Sequence, residues 1–211
     1  VEESPPNADF PPRPQKTAPP TSTVTFLLDT ATAETVAATE EGSVAVPGKA
    51  LSATRVDWGE APDIRFFYGR STEINVLKSW VTLDRSRLIV LLGMGGIGKT
   101  TLAAKVAQEV QSEFDCLIWR SLRNAPPLET LLTDLIPFLS HQQDTACSVA
   151  RLMHWLRQSR CLVVLDNCET ILKEGERAGQ FRPGYENYGD LMQVIGQGNH
   201  QSCLVLTSRE K

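Results

Sequence analysis

The chain has 211 residues, a formal net charge of −4 and 41% apolar residues, which suits one full domain with a sizeable core plus a tail. It carries no apolar run long enough to cross a bilayer and no basic flank and apolar core of a secretory signal. The expected location is therefore cytoplasmic with no membrane partner, and the acidic balance argues against direct nucleic-acid binding, whose footprint would be basic.

Seven of the thirteen prolines fall in the first twenty residues, and the next thirty are rich in Thr, Ala and Glu with no Trp or Tyr. Such a segment buries too little apolar surface to offset its ordering entropy. Residues 1–57 are expected to be a disordered Pro/Thr-rich linker, with Thr23 to Leu28 the only plausible short strand, and a chain that begins with Val reads as a piece of something longer. Order is expected from Trp58 and strengthens at Phe66-Phe67-Tyr68-Gly69-Arg70, followed by a helix with Ser71 as N-cap and Ile74, Leu77 and Val81 on one face. Strands are then predicted at Arg87 to Leu92, Cys116 to Ser121, Cys161 to Asp166 and Cys203 to Thr207. Helices are predicted between them, at Lys99 to Gln111, Leu128 to Leu139, Val149 to Gln158 and Asn187 to Ile195, their apolar stripes serving as core packing. Strands that are apolar on both faces and alternate with helices call for a parallel sheet covered on both sides, an α/β three-layer fold. Ligands in such sheets sit at the carboxyl ends of the strands. The five cysteines, Cys116, Cys147, Cys161, Cys168 and Cys203, include no Cys-x-x-Cys pair and read as reduced core or near-core thiols.

Gly93-Met94-Gly95-Gly96-Ile97-Gly98-Lys99-Thr100-Thr101 lies between a predicted strand and a predicted helix and has the form of a phosphate-binding loop. Glycines let consecutive backbone N–H groups approach anionic oxygens, and the helix start adds unpaired N–H groups and a positive dipole end. Lys99 reaches the outer phosphates and Thr100 offers a hydroxyl to Mg²⁺. Asp166 ends a buried strand, where a carboxylate is costly without a cation, and nucleotide-bound Mg²⁺ supplies one. Thr207, Ser208 and Arg209 end the last strand at the same sheet edge, and the planar fork of Arg209 suits a terminal phosphate.

These segments, in this order, resemble the NB-ARC branch of the STAND signalling ATPases, which are P-loop NTPases. Phe67-Tyr68-Gly69-Arg70-x-x-Glu73 is similar to the segment that lines the adenine pocket in that family, and Phe114 to Trp119 resembles its second strand. The resemblance covers about residues 58–211. It implies an ADP/ATP switch for signal transduction, with ADP holding a closed state and ATP releasing an active one. It implies that Lys99 and Thr100 hold phosphates and metal, Asp166 the metal's water shell, Arg209 the terminal phosphate, and Phe67, Tyr68, Gly69 and Arg70 the adenine side. Many bacterial chains of this type continue into WD or tetratricopeptide repeats.

Two departures qualify the resemblance. The family usually has a second acidic residue after Asp166, where this chain has Asn167, a poor proton acceptor, so hydrolysis is expected to be slow. Glu169 is the nearest replacement, either facing the phosphate or standing as a solvated turn carboxylate. The family's sheet has a fifth strand beside the phosphate-loop strand, followed by helical and winged-helix domains. With only four of those five strands expected, Arg87 to Leu92 would be an exposed edge inviting self-association. The glycine-rich, polar segment Lys173 to Asp190 reads as a mobile surface loop near the metal edge, with a lid as the alternative, and His141, His154 and His200 share no metal-ligand spacing. The competing functions are a constitutive ATPase of the remodelling type and a truncated fragment without function. A GTPase is disfavoured by the lack of an Asn-Lys-x-Asp motif.

Overall fold

The computed structural model describes residues 23–28, 54–65, 67–173 and 179–209, with the side chains of only Thr25 and Leu28 described in the first segment. The four expected strands form the centre of an all-parallel sheet as β3 (Leu88–Gly93), β4 (Cys116–Ser121), β5 (Cys161–Asp166) and β6 (Cys203–Arg209). Two more strands flank them, β1 (Thr23–Leu28) and β2 (Arg55–Asp57), in the spatial order β1-β3-β6-β5-β4-β2.

The expected unpaired edge at the phosphate-loop strand is corrected by this order. β1 pairs with β3 in parallel over its whole length, from Thr23 opposite Leu88 to Leu28 opposite Gly93. The exposed-edge reason for self-association therefore does not hold. β2 pairs with β4 at the other edge. Both flanking strands come from the segment expected to be disordered, whose residues 1–22 and 29–53 lie outside the described residues.

The strands are apolar on both faces because both are covered. Helices α3 (Leu128–Leu139), α4 (Val149–Gln158) and α5 (Glu186–Gln197) pack on one face, against Leu88, Ile118, Val163, Leu165, Leu204 and Leu206. Helices α1 (Ser71–Thr82) and α2 (Lys99–Val110) cover the other, against Ile89, Leu91, Leu117, Trp119, Val164 and Val205. Alternate residues of each strand thus serve opposite cores. All six residues of β5 are buried, which makes it the centre of this three-layer α/β fold.

Two local expectations change. Ser71 is the first residue of α1 rather than its cap: Gly69 (φ 76) and Arg70 (φ 57) make a left-handed turn into the helix, and Arg70 occupies the cap position. The segment after Lys173 is also more than a plain loop. Leu172 and Phe181 form an antiparallel bridge, Lys173 N–H donates to the Gln180 carbonyl, and Arg182 N–H donates to the Ile171 carbonyl. Residues 174–178 lie outside the described residues. Four cysteines are buried and Cys147 is exposed. Cys116 and Cys161 face each other across β4 and β5 with sulfurs 2.7 Å apart. No described helix is long and apolar enough to cross a membrane.

Candidate functional site

The carboxyl ends of β3, β5 and β6 bring the motif residues together. Gly93 closes β3 with φ 154, where an added Cβ would lie 3.0 Å from the Leu28 carbonyl oxygen, so the loop begins tight against β1. Gly96 (φ 81) and Gly98 (φ 90) adopt left-handed conformations, and added Cβ atoms there would meet nothing within 4 Å. Backbone conformation, not crowding, is what requires glycine at these two positions. Gly98 precedes α2 and provides no side-chain cap, leaving the first-turn N–H groups of Lys99, Thr100 and Thr101 without a side-chain acceptor.

These groups line a cleft of about 250 Å³ with Gly95, Asn167, Glu169, Thr207 and Arg209. Lys99 is 7% exposed, and its Nζ donates to the carbonyls of Gly93 and Met94, each at 2.8 Å. Burial lowers the pKa of this ammonium, opposed first by the carboxylate of Glu169 and then by that of Asp166, while Arg209 adds to the lowering. Met94 and Ile97 flank the glycines: Met94 is exposed, and Ile97 packs against the α1 and α2 core.

Asp166 is buried and held by two hydroxyls. Thr100 Oγ1 donates to its Oδ1 at 2.8 Å, and Thr207 Oγ1 makes a short bond to the same oxygen. Thr207 Oγ1 also accepts from the Asn167 backbone N–H at 3.1 Å. The hydroxyl of Thr207 therefore ties the end of β6 to the turn after β5, a role for which an alternating strand pattern carries no signal. Thr100 lines the cleft and is bonded to the buried Asp166, so a hydroxyl and a carboxylate stand together at its wall, a donor set that suits Mg²⁺ completed by phosphate and water oxygens. Among the described residues no group of three or more His, Cys, Asp or Glu side chains is placed to hold a metal alone.

Glu169 is 8% exposed and lines the cleft. Asn167 takes a left-handed conformation (φ 63), and the short 3₁₀ turn Cys168–Ile171 that follows directs Glu169 to Arg209. Glu169 Oε1 pairs with Arg209 Nε at 3.1 Å, and Oε2 accepts from the Arg209 backbone N–H at 3.2 Å. The Arg209 side chain runs beside Gly95, its Nε, Cδ and Cζ lying 3.7 to 3.8 Å from the position of a Cβ there.

The expected adenine segment is placed apart from this cleft. Phe67 packs against the α1 and α2 core, Tyr68 is 85% exposed, and Gly69 and Arg70 form the turn before α1. None of the four lines the cleft. On the far side of Glu169 lies a groove of about 990 Å³, lined by Arg123, Lys173, Arg182 and Tyr185 among others. Sequence reasoning does not find it, because it forms only when Tyr185 donates to the Ala125 carbonyl and Arg182 to the Thr170 carbonyl.

Comparison with known proteins adds an independent line. A family profile described as the NB-ARC domain matches residues 70–178, just over half of the chain. An uncharacterized WD repeat-containing protein of Nostoc sp. is 54% identical over 169 residues, which cover 74% of this chain and 13% of that protein. A disease resistance-like protein of Arabidopsis thaliana is 32% identical over 107 residues, 46% of this chain and 9% of that protein. A disease resistance protein of the same plant is 28% identical over 96 residues, 39% of this chain and 10% of that protein. The chain thus spans 9 to 13% of the length of these relatives.

Proposed function

Because this chain belongs to the NB-ARC family of nucleotide-binding domains, we propose that residues 58–211, completed by the two flanking strands, bind ADP or ATP with Mg²⁺ as a nucleotide-dependent signalling switch in the cytoplasm. The observation that carries this reading is the cleft, where loop glycines, an uncapped helix start, a buried ammonium and the Thr100 hydroxyl, bonded to Asp166, converge.

The residues divide the work by chemistry. The N–H groups of the loop from Gly95 to Thr101 and the ammonium of Lys99 hold phosphate oxygens. Thr100 and Asp166 hold Mg²⁺, which neutralises phosphate charge when bound. Arg209 reads the terminal phosphate. Phe67, Tyr68, Gly69 and Arg70 would take the adenine side, where the exposed Tyr68 could turn onto a base.

Slow hydrolysis is expected from the residue that follows Asp166. Asn167 is an amide and a poor proton acceptor, and its side-chain oxygen already accepts from Ser121 Oγ at 3.3 Å. A switch tolerates slow turnover, since its output depends on which nucleotide is bound. Calorimetry on the full chain tests the reading. Both Mg·ATP and ADP are expected to bind, and flat traces for both on folded protein would reject it. Steady phosphate release far above background would favour the constitutive ATPase.

A further inference from the structure

Glu169 stands between two cations with which the proposed switch would grip a polyphosphate. Its carboxylate contacts Arg209 twice, through the guanidinium Nε at 3.1 Å and through the backbone N–H at 3.2 Å. It also lines the cleft together with the buried Lys99 ammonium. The two partners differ in exposure: the Glu169 side chain is 10% exposed and that of Arg209 is 61% exposed. The guanidinium, facing solvent, is the half of the pair with room to leave.

We propose that Glu169 sets the preference of the site between ADP and ATP by latching Arg209 through this pair, so that a terminal phosphate must draw the guanidinium away before it is read. The inference rests on the nucleotide-binding reading above and adds to it the source of selectivity. A diphosphate needs Lys99 and the loop amides and leaves the latch in place. A third phosphate calls on Arg209, whose guanidinium already donates to Glu169 and lies along Gly95. Binding of the triphosphate then carries the cost of breaking a charge-assisted bond that binding of the diphosphate does not. Glu169 is a positioning residue in this scheme, since it acts through Arg209.

Calorimetric titrations of ADP and Mg·ATP on the full chain test the latch through the ratio of the two affinities, without recourse to activity. Glu169→Gln is expected to raise the ATP-to-ADP affinity ratio about tenfold, the scale of one charge-assisted hydrogen bond. Arg209→Ala is expected to lower the ratio, and adding Glu169→Gln to it to change nothing further. Glu169→Asp, which draws the carboxylate back by one methylene while keeping its charge, is expected to raise the ratio about threefold and serves if the amide variant fails to fold. An equal gain from Glu169→Gln in the Arg209→Ala background would mean that the carboxylate repels the phosphate directly, which overturns the latch. A ratio that is unmoved or lowered in both Glu169 variants overturns it as well. These failures are distinct from that of the underlying reading, which is lost if the unmodified chain binds neither nucleotide.

Discussion

The two ends of the parallel sheet use polar side chains in opposite ways. At the amino end, polar groups finish largely on nearby backbone, the Cys116–Cys161 sulfur contact and the Arg160–Glu113 pair being among the exceptions. Ser202 Oγ lies 2.9 Å from the Leu156 carbonyl and 3.0 Å from the Ser159 carbonyl, and accepts from the Cys161 N–H at 2.9 Å. Asp115 accepts from the Arg160 N–H, and Thr54 donates toward the carbonyls of Gln111 and Phe114. At the carboxyl end, the side chains finish largely on one another: Thr100 and Thr207 on Asp166, and Arg209 on Glu169. Bonds to backbone are set by the fold and have no second state. Bonds between side chains around an open cleft are available for exchange with a ligand. The amino end is built for stability and the carboxyl end for binding, and substitutions at the two ends should separate these properties.

The largest effect is expected at Lys99. Lys99→Met should weaken both ADP and Mg·ATP binding by about 100-fold or more, since the ammonium offers charge-assisted bonds to phosphate. The melting temperature of the nucleotide-free variant should fall by no more than a few degrees, because the Gly93 and Met94 carbonyls lose a donor while the folded chain no longer has to bury an ammonium. A large drop in melting temperature would place Lys99 among the structural groups and erase the contrast. Next is Asp166→Asn, which keeps the shape but loses the charge. It should remove about tenfold of ATP affinity in the presence of Mg²⁺ and little in its absence, as read by titration with and without chelator.

How much of this division is legible in the sequence depends on the range of the interaction concerned. The central strands are legible because each is a continuous apolar run, and the ends of β4 and β5 fall where polar residues interrupt it. The phosphate loop is legible because local backbone geometry demands its glycines. β2 has three residues, two of them charged, so no periodicity marks it, and only its pairing with β4 makes it a strand. β1 is visible as a short apolar run, but its place beside the phosphate-loop strand is a contact across more than sixty residues of chain. The direction of Glu169 is hidden for a similar reason. It depends on the left-handed conformation of Asn167 and on a partner, Arg209, forty residues away.

The amino end supplies the converse of the Lys99 experiment. Ser202 is 2% exposed, and Ser202→Ala removes the acceptor for the Cys161 N–H and the donor shared by two carbonyls. Leaving buried backbone groups unpaired should cost about 1–3 kcal/mol by denaturant unfolding. Nucleotide affinities should stay within about twofold, because no group of the cleft is touched.

The smallest expected effect, and the one that separates the ends by pH, belongs to His200. It is buried just before β6, with Nε2 2.9 Å from the Ile195 carbonyl oxygen, which the neutral ring serves as a donor. Burial pushes its pKa below 6.5; the Ile195 carbonyl opposes this, and the charges of Arg87 and Arg157 add to it. The unfolded chain therefore takes up a proton as pH falls through about 6.5, while the folded chain resists until a lower pH. Stability from this group is complete above that value and declines below it. His200→Gln keeps a side-chain donor and cannot titrate, so the stability difference between the unmodified chain and the variant should shrink as the pH drops from 7.5 toward 5. The same titration followed through ADP affinity should show no matching difference between the two proteins. A parallel change in affinity would mean that the amino end of the sheet communicates with the cleft, and that the separation of the two ends is incomplete.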